Sequence, residues 1–218
     1  MAQPAIVAPP PWSLTGNGYI FLYRFPEVFI RENGFLAPYQ ADGYEGLLGA
    51  VMFVDYHTTP VAPYKELLFI PGLFKLGGRR TFSISKIYVS SYESVWNGIE
   101  NWGIPKELAD FSVEKIDDRT DRLVARHGGV PFFEATVQKS RFSFPITTGF
   151  FPLKITQQLG NELLLTKPTA KGKASFGKIL DLKIDNTHFP DFKQLRPVAV
   201  LSVTGFEMGF PVPEKIKE

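Results

Sequence analysis

The sequence has no cysteine. That absence removes disulfides, thiolate nucleophiles and cysteine-ligated metals together. Histidine is scarce: His57, His127 and His188 stand far apart without ligand spacing, so no metal is expected. Charge of one sign is also missing. With 24 basic and 22 acidic residues the net charge is +2, and the longest basic cluster is Arg79-Arg80. Nucleic acid and anionic membrane are therefore not expected partners. No stretch reaches the ~18 apolar residues of a membrane-spanning helix without a charge or a proline. Met1–Pro11 lacks a charged start and a continuous apolar core, so it does not read as a secretory leader, and cytoplasm is the expected location. Leu76-Gly77-Gly78-Arg79-Arg80 fits neither a phosphate-binding loop nor a dinucleotide fingerprint and reads as a tight turn; no cofactor is expected. The serine-hydrolase pattern Gly-x-Ser-x-Gly does not occur.

What is present points to a β-rich globular chain. The 218 residues suit one domain, with 1–12 as an extended arm and 211–218 as a charged, frayed tail. Apolar residues make up 44%, enough for a sizeable core. The 20 Phe outnumber Tyr and Trp together, which suggests a broad apolar interior, a lined pocket or subunit contacts. Phe132-Phe133, Phe142, Phe144 and Phe150-Phe151 are assigned to core and subunit interface. The 18 Pro and 19 Gly imply many turns.

Strands are expected at Gly18–Arg24, Leu47–Tyr56, Tyr64–Ile70 and Arg80–Ser90, the second of these buried on both faces. A short helix follows Pro26 and stops at Gly34. The period then changes. Ser90 and Glu93 have capping-box spacing, and Tyr92, Val95, Ile99 and Trp102 form one apolar helical stripe that Gly103 ends. Beyond it, strands return at Phe111–Ile116, Arg122–His127, Val130–Lys139, Glu162–Thr166, Ala174–Ile184 and Val198–Glu207. Phe142–Leu153, with two prolines, reads as edge strand or loop. Many strands against two short helices suggest a mainly β (α+β) fold with a closed or highly curved antiparallel sheet.

The most informative stretch is Asn97-Gly98-Ile99-Glu100-Asn101-Trp102-Gly103-Ile104-Pro105-Lys106-Glu107-Leu108-Ala109. It resembles the active-site segment of the acetoacetate decarboxylase family, which has a Gly-Arg-Glu stretch, then an aromatic, Pro, two lysines and Leu. Upstream, Ile84–Val89 and Tyr56–Gly72 sit where that family would place them, so the resemblance spans roughly residues 12 to 207. It implies an antiparallel β barrel or cone with two short helices, assembled as a large homo-oligomer. It further implies that Lys106 forms a Schiff base with a keto compound and that Glu66 assists as acid or base. The departures are specific. The second lysine of the pair is Glu107 here, a second family glutamate aligns near Met52, and the family's carboxylate-binding arginine aligns near Gly16 or Asn17. These losses argue against acetoacetate itself as the substrate.

The chemistry sets conditions on Lys106. Only the free amine attacks a carbonyl, and at a reference pKa of ~10.4 roughly one lysine in two thousand is free at neutral pH. Burial against Trp102, Ile104, Leu108 and the phenylalanines would lower that pKa, whereas a nearby Glu107 would raise it. Trp102, Ile104, Met52 and Glu107 are expected around the substrate, and Arg80 is one of four arginines (with Arg24, Arg79 and Arg141) able to meet a carboxylate. The expected partner is a small carbonyl compound. The principal reading is a lyase or aldolase-like enzyme with Lys106 as nucleophile and Glu66 as proton shuttle. The alternative is a non-catalytic small-molecule-binding protein on the same fold.

Overall fold

The computed structural model describes residues 1–150 and 153–217. The chain forms seventeen strands and three helices among these residues. In chain order the first strands are β1 (Trp12–Tyr23), β2 (Tyr44–Gly46), β3 (Gly49–Thr58), β4 (Tyr64–Ile70), β5 (Leu73–Leu76), β6 (Arg79–Phe82) and β7 (Lys86–Val89). Then follow β8 (Lys106–Leu108), β9 (Asp110–Lys115), β10 (Thr120–His127), β11 (Val130–Lys139) and β12 (Phe144–Thr147). The last are β13 (Ile155–Leu159), β14 (Glu162–Thr166), β15 (Thr169–Ile184), β16 (Ala199–Phe210) and β17 (Glu214–Ile216). The helices are α1 (Glu27–Asn33), α2 (Pro38–Ala41) and α3 (Tyr92–Trp102). No helix is long and apolar enough to cross a membrane.

Eleven strands make the larger sheet, in the order β8-β7-β4-β3-β1-β16-β15-β11-β10-β9, with β12 added on β15. The other six form a smaller sheet, β17-β14-β13-β6-β5-β2. The large sheet is strongly curled. Tyr19, Phe21, Val51, Phe53 and Leu67 from one half share a core with Leu123, Ala125 and Phe133 from the other. The rings of Phe53 and Phe133 lie 6.5 Å apart. The opposite face of the same central strands is covered too. Val54, Tyr56, Tyr64 and Leu68 pack there with Val95 and Trp102 of α3 and Ile155 of β13. Burial on both faces is why the central strands read as near-continuous apolar runs.

The mainly β character with few helices agrees with the sequence, but the expected closed antiparallel barrel does not form. Both sheets are open and mixed: β7 pairs β8 in parallel, and β6 pairs β13 in parallel. The end strands β8 and β9 are separated in sequence only by Ala109. One residue cannot reverse the chain, and side-by-side antiparallel pairing needs at least a two-residue turn. The two ends of the sheet are therefore joined end to end rather than edge to edge.

Three further expectations are corrected. The run Arg80–Ser90 is not one strand; β6 and β7 belong to different sheets, and the buried link Ser83-Ile84-Ser85 carries the chain between them. The tail is not frayed throughout, because β17 pairs Leu163–Leu165 of β14 and its Lys215 lies 2.7 Å from Glu162. A third helix, the single turn α2, was not anticipated. Phe132 and Phe133 are core, Phe142 and Phe150 are exposed, and Phe151 lies outside the described residues.

Candidate active site

The site begins with the way α3 ends. Ser91 caps its start, accepting from the Ser94 amide at 3.1 Å. The cap is one residue later than expected, because Ser90 instead uses its hydroxyl to accept from the Lys65 amide. At the other end Gly103 takes φ 68°, and the amides of Gly103 and Ile104 return to the carbonyls of Ile99 and Gly98. Glycine adopts this left-handed conformation without steric cost. The turn aims the chain back along β7, where Lys106 pairs with Ile87.

Strand alternation then separates Lys106 from Glu107. Lys106 points inward. Glu107 points out, half-exposed, and bonds Lys86 at 2.6 Å. The lysine stem runs across α3 at Gly98, where a Cβ would approach Lys106 Cδ to 2.6 Å. One helical turn earlier, Ser94 Oγ accepts from Lys106 Nζ at 3.0 Å. Ser94 and Gly98 thus form a small-residue channel on the helix that delivers the amine.

Glu66 reaches the same point from β4, whose Tyr64, Glu66, Leu68 and Ile70 share one face. Its Oε2 lies 3.1 Å from Lys106 Nζ, and both side chains are only 5% exposed. Tyr56 donates to Glu66 Oε1 at 3.3 Å, and Tyr64 accepts from Lys106 at 3.4 Å. The Tyr64 ring centroid is 5.0 Å from Nζ, a cation–π contact. These groups line a cavity of about 90 Å³ with Trp102, Ile104 and Met52.

Burial pulls the Lys106 pKa down, but the attraction of Tyr64 and Glu66 and their hydrogen bonds outweigh it, leaving it above the ordinary 10.5. Burial raises the Tyr56 and Tyr64 phenols, Tyr56 more strongly. Tyr64 attracts the ammonium as a full charge only once ionised, so at neutral pH the Glu66 carboxylate holds it. The depression that burial alone would give is thus reversed by the groups around the amine. The resting site is a buried ammonium–carboxylate pair with one hydroxyl acceptor and one phenol on each side.

Of the residues singled out in the sequence, the fold brings Lys106, Glu66, Trp102, Ile104 and Met52 to one cavity. Arg80 is elsewhere, on β6, 76% exposed at its side chain and paired with Glu45 at 2.9 Å. Leu108 is also exposed rather than packed on the amine. His57 lies exposed beside Asn17. Sequence reasoning passed over Ser94, Gly98, Tyr56 and Tyr64. The small residues Ser94 and Gly98, four apart beside the apolar stripe, were the legible sign of a close approach to α3.

The family model described as "Acetoacetate decarboxylase (ADC)" matches residues 38–215. Among solved structures, acetoacetate decarboxylase from Legionella pneumophila subsp. pneumophila str. Philadelphia 1 is similar at 15% identity and TM-score 0.75, covering 100% of this chain and 92% of that one. An acetoacetate decarboxylase-like enzyme from Sphingomonas wittichii RW1 matches at 11% identity and TM-score 0.73, covering 100% and 97%. The enduracididine biosynthesis enzyme MppR, complexed with pyruvate, matches at 16% identity and TM-score 0.68, covering 99% and 93%. No curated protein matches the chain.

Proposed function

The chain belongs to the acetoacetate decarboxylase family, and from that premise we propose that it is a lyase or aldolase-like enzyme that forms a Schiff base between Lys106 and a small carbonyl compound. The observation that carries the reading is the buried contact of Lys106 Nζ with Glu66 at 3.1 Å in a small cavity walled largely by apolar side chains. The complex of MppR with pyruvate lends support, since a keto compound occupies a protein of the same fold.

The pair can supply each proton the chemistry needs. Lys106 gives a proton to Glu66, which frees the amine. The amine adds to the carbonyl carbon, and the C=O π pair moves to oxygen. A proton passes from nitrogen to that oxygen, giving a neutral carbinolamine. Glu66, now a carboxylic acid, protonates the hydroxyl; water leaves and the iminium forms beside a regenerated carboxylate. The iminium is an electron sink for the adjacent carbon, so Glu66 can remove an α-proton and produce an enamine. Ser94 and Tyr64 hold Nζ in place throughout.

The test is α-hydrogen exchange in D₂O, followed by NMR across a panel of ketones, keto acids and aldehydes. Exchange is expected with wild type and lost in Lys106→Arg, which keeps the charge but cannot form an imine. A second reading, a non-catalytic binding protein, is favoured by one observation: Lys106 Nζ is paired with Glu66 at 3.1 Å and bonded to Tyr64, contacts that hold its pKa above the ordinary value and disfavour the free amine. Binding of panel members without any exchange above background would select it.

A further inference from the structure

The space beside Lys106 is small, about 90 Å³, enough for the reacting carbonyl and little more. A second hollow of about 360 Å³ shares Met52, Ile70, Leu153, Pro168 and Met208 with it. Its remaining walls are largely apolar, with Ile20 from β1, Val54 from β3, Phe206 from β16 and Phe82 and Ile146 from neighbouring strands. Apart from Met1, Met52 and Met208 are the chain's only methionines, and both stand on the shared wall. Methionine is unbranched and adapts its shape readily, so this wall can yield to a chain passing between the two spaces.

Charge points the same way. Lys106 is already matched by Glu66. Among the described residues no arginine lines either space. The one lysine beside the larger hollow, Lys171, is exposed and paired with Glu207 at 2.9 Å. A substrate carboxylate would enter without a counter-ion and would face Glu66, whereas hydrocarbon would find a wall built for it.

We propose that the substrate is an uncharged ketone or aldehyde with an apolar tail. The carbonyl sits at Lys106 and the tail occupies the hollow bounded by β1, β3 and β16. This rests on the Schiff-base reading for the carbonyl end, and the test below separates the two.

Borohydride trapping on the protein is measured by intact mass for 2-butanone, 2-hexanone and 2-nonanone and for acetoacetate. The ketone concentration giving half-maximal adduct should fall about threefold to fourfold per added methylene. Acetoacetate should need at least roughly tenfold more than 2-butanone, which matches it in length, the cost of about 1.4 kcal/mol for an unmatched charge. Filling the hollow with Ala50→Phe or Ala170→Phe should abolish the gain with length. Equal or better trapping of acetoacetate, or no dependence on length in wild type, overturns the proposal whatever the variants do. If no compound forms an adduct, calorimetry with 2-nonanone decides. Binding that weakens roughly tenfold or more in both variants upholds the apolar site while ending the Schiff-base reading. Absence of binding overturns both.

Discussion

Lys106 is held between two opposed influences. Burial favours the neutral amine, and Tyr64 and Glu66 together favour the ammonium strongly enough to win. Replacing Glu66 by Gln removes the carboxylate and leaves burial less opposed. The account therefore predicts that the pH midpoint for acylation of Lys106, followed by peptide mass, moves down in Glu66→Gln; an unchanged midpoint contradicts it. The same variant should lose about 3–5 kcal/mol in urea denaturation near pH 7, because it strands a buried charge. A third prediction concerns alkali. The folded pKa of Lys106 lies above the unfolded one, so its contribution to stability is complete below pH 10.5 and fades as pH rises through the folded value. The buried phenols of Tyr56 and Tyr64, also raised, act in the same direction. Stability should thus decline above pH 10.5. That decline should be shallower in Lys106→Arg, whose guanidinium does not titrate there.

Helix α3 is the element that makes the site. Its cap should contribute about 1 kcal/mol, so Ser91→Ala lowers stability by that amount and Ser90→Ala does not disturb the cap. Gly98→Ala pushes a methyl group into the Lys106 stem. Adduct formation should fall roughly tenfold to a hundredfold as Nζ leaves Ser94 and Glu66, with helix content by circular dichroism retained. Much of this element was legible: the apolar stripe, the Gly103 stop and Lys106 beyond it follow from residue spacing and one short motif. What was not legible depended on partners distant in sequence. Ser90 and Ser91 compete for the cap, and Lys65 on β4 decides between them. Arg80–Ser90 looks like one alternating strand, yet Ser83 accepts from Gln40 and donates to Thr156 and so bends the run into two sheets. The charged tail pairs with β14 because its backbone finds an open edge there, which its composition does not reveal.

The curled large sheet sets the geometry of the whole molecule. One of its faces closes on the Phe-rich core, and the other receives α3 and the small sheet, with Lys106 and Glu66 between them. Abundant Phe and many turns foretold a β-rich interior, but not whether the sheet would close. That depended on the single residue between β8 and β9. On the outside, Phe142, Phe176 and Leu180 are exposed on and beside β15. Apolar area of this kind favours association, and the account predicts a homo-oligomer whose mass by light scattering is a multiple of 24.5 kDa. Phe176→Glu should lower that mass; a wild-type monomer contradicts the prediction.

The central claim is that Lys106 is an amine nucleophile paired with Glu66. The most direct measurement is intact mass after borohydride reduction with a panel of ketones, keto acids and aldehydes, followed by peptide mapping of the modified chain. The account predicts a single adduct on the peptide containing Lys106, absent from Lys106→Arg. No adduct across the panel, or one on another lysine that persists in Lys106→Arg, would contradict it.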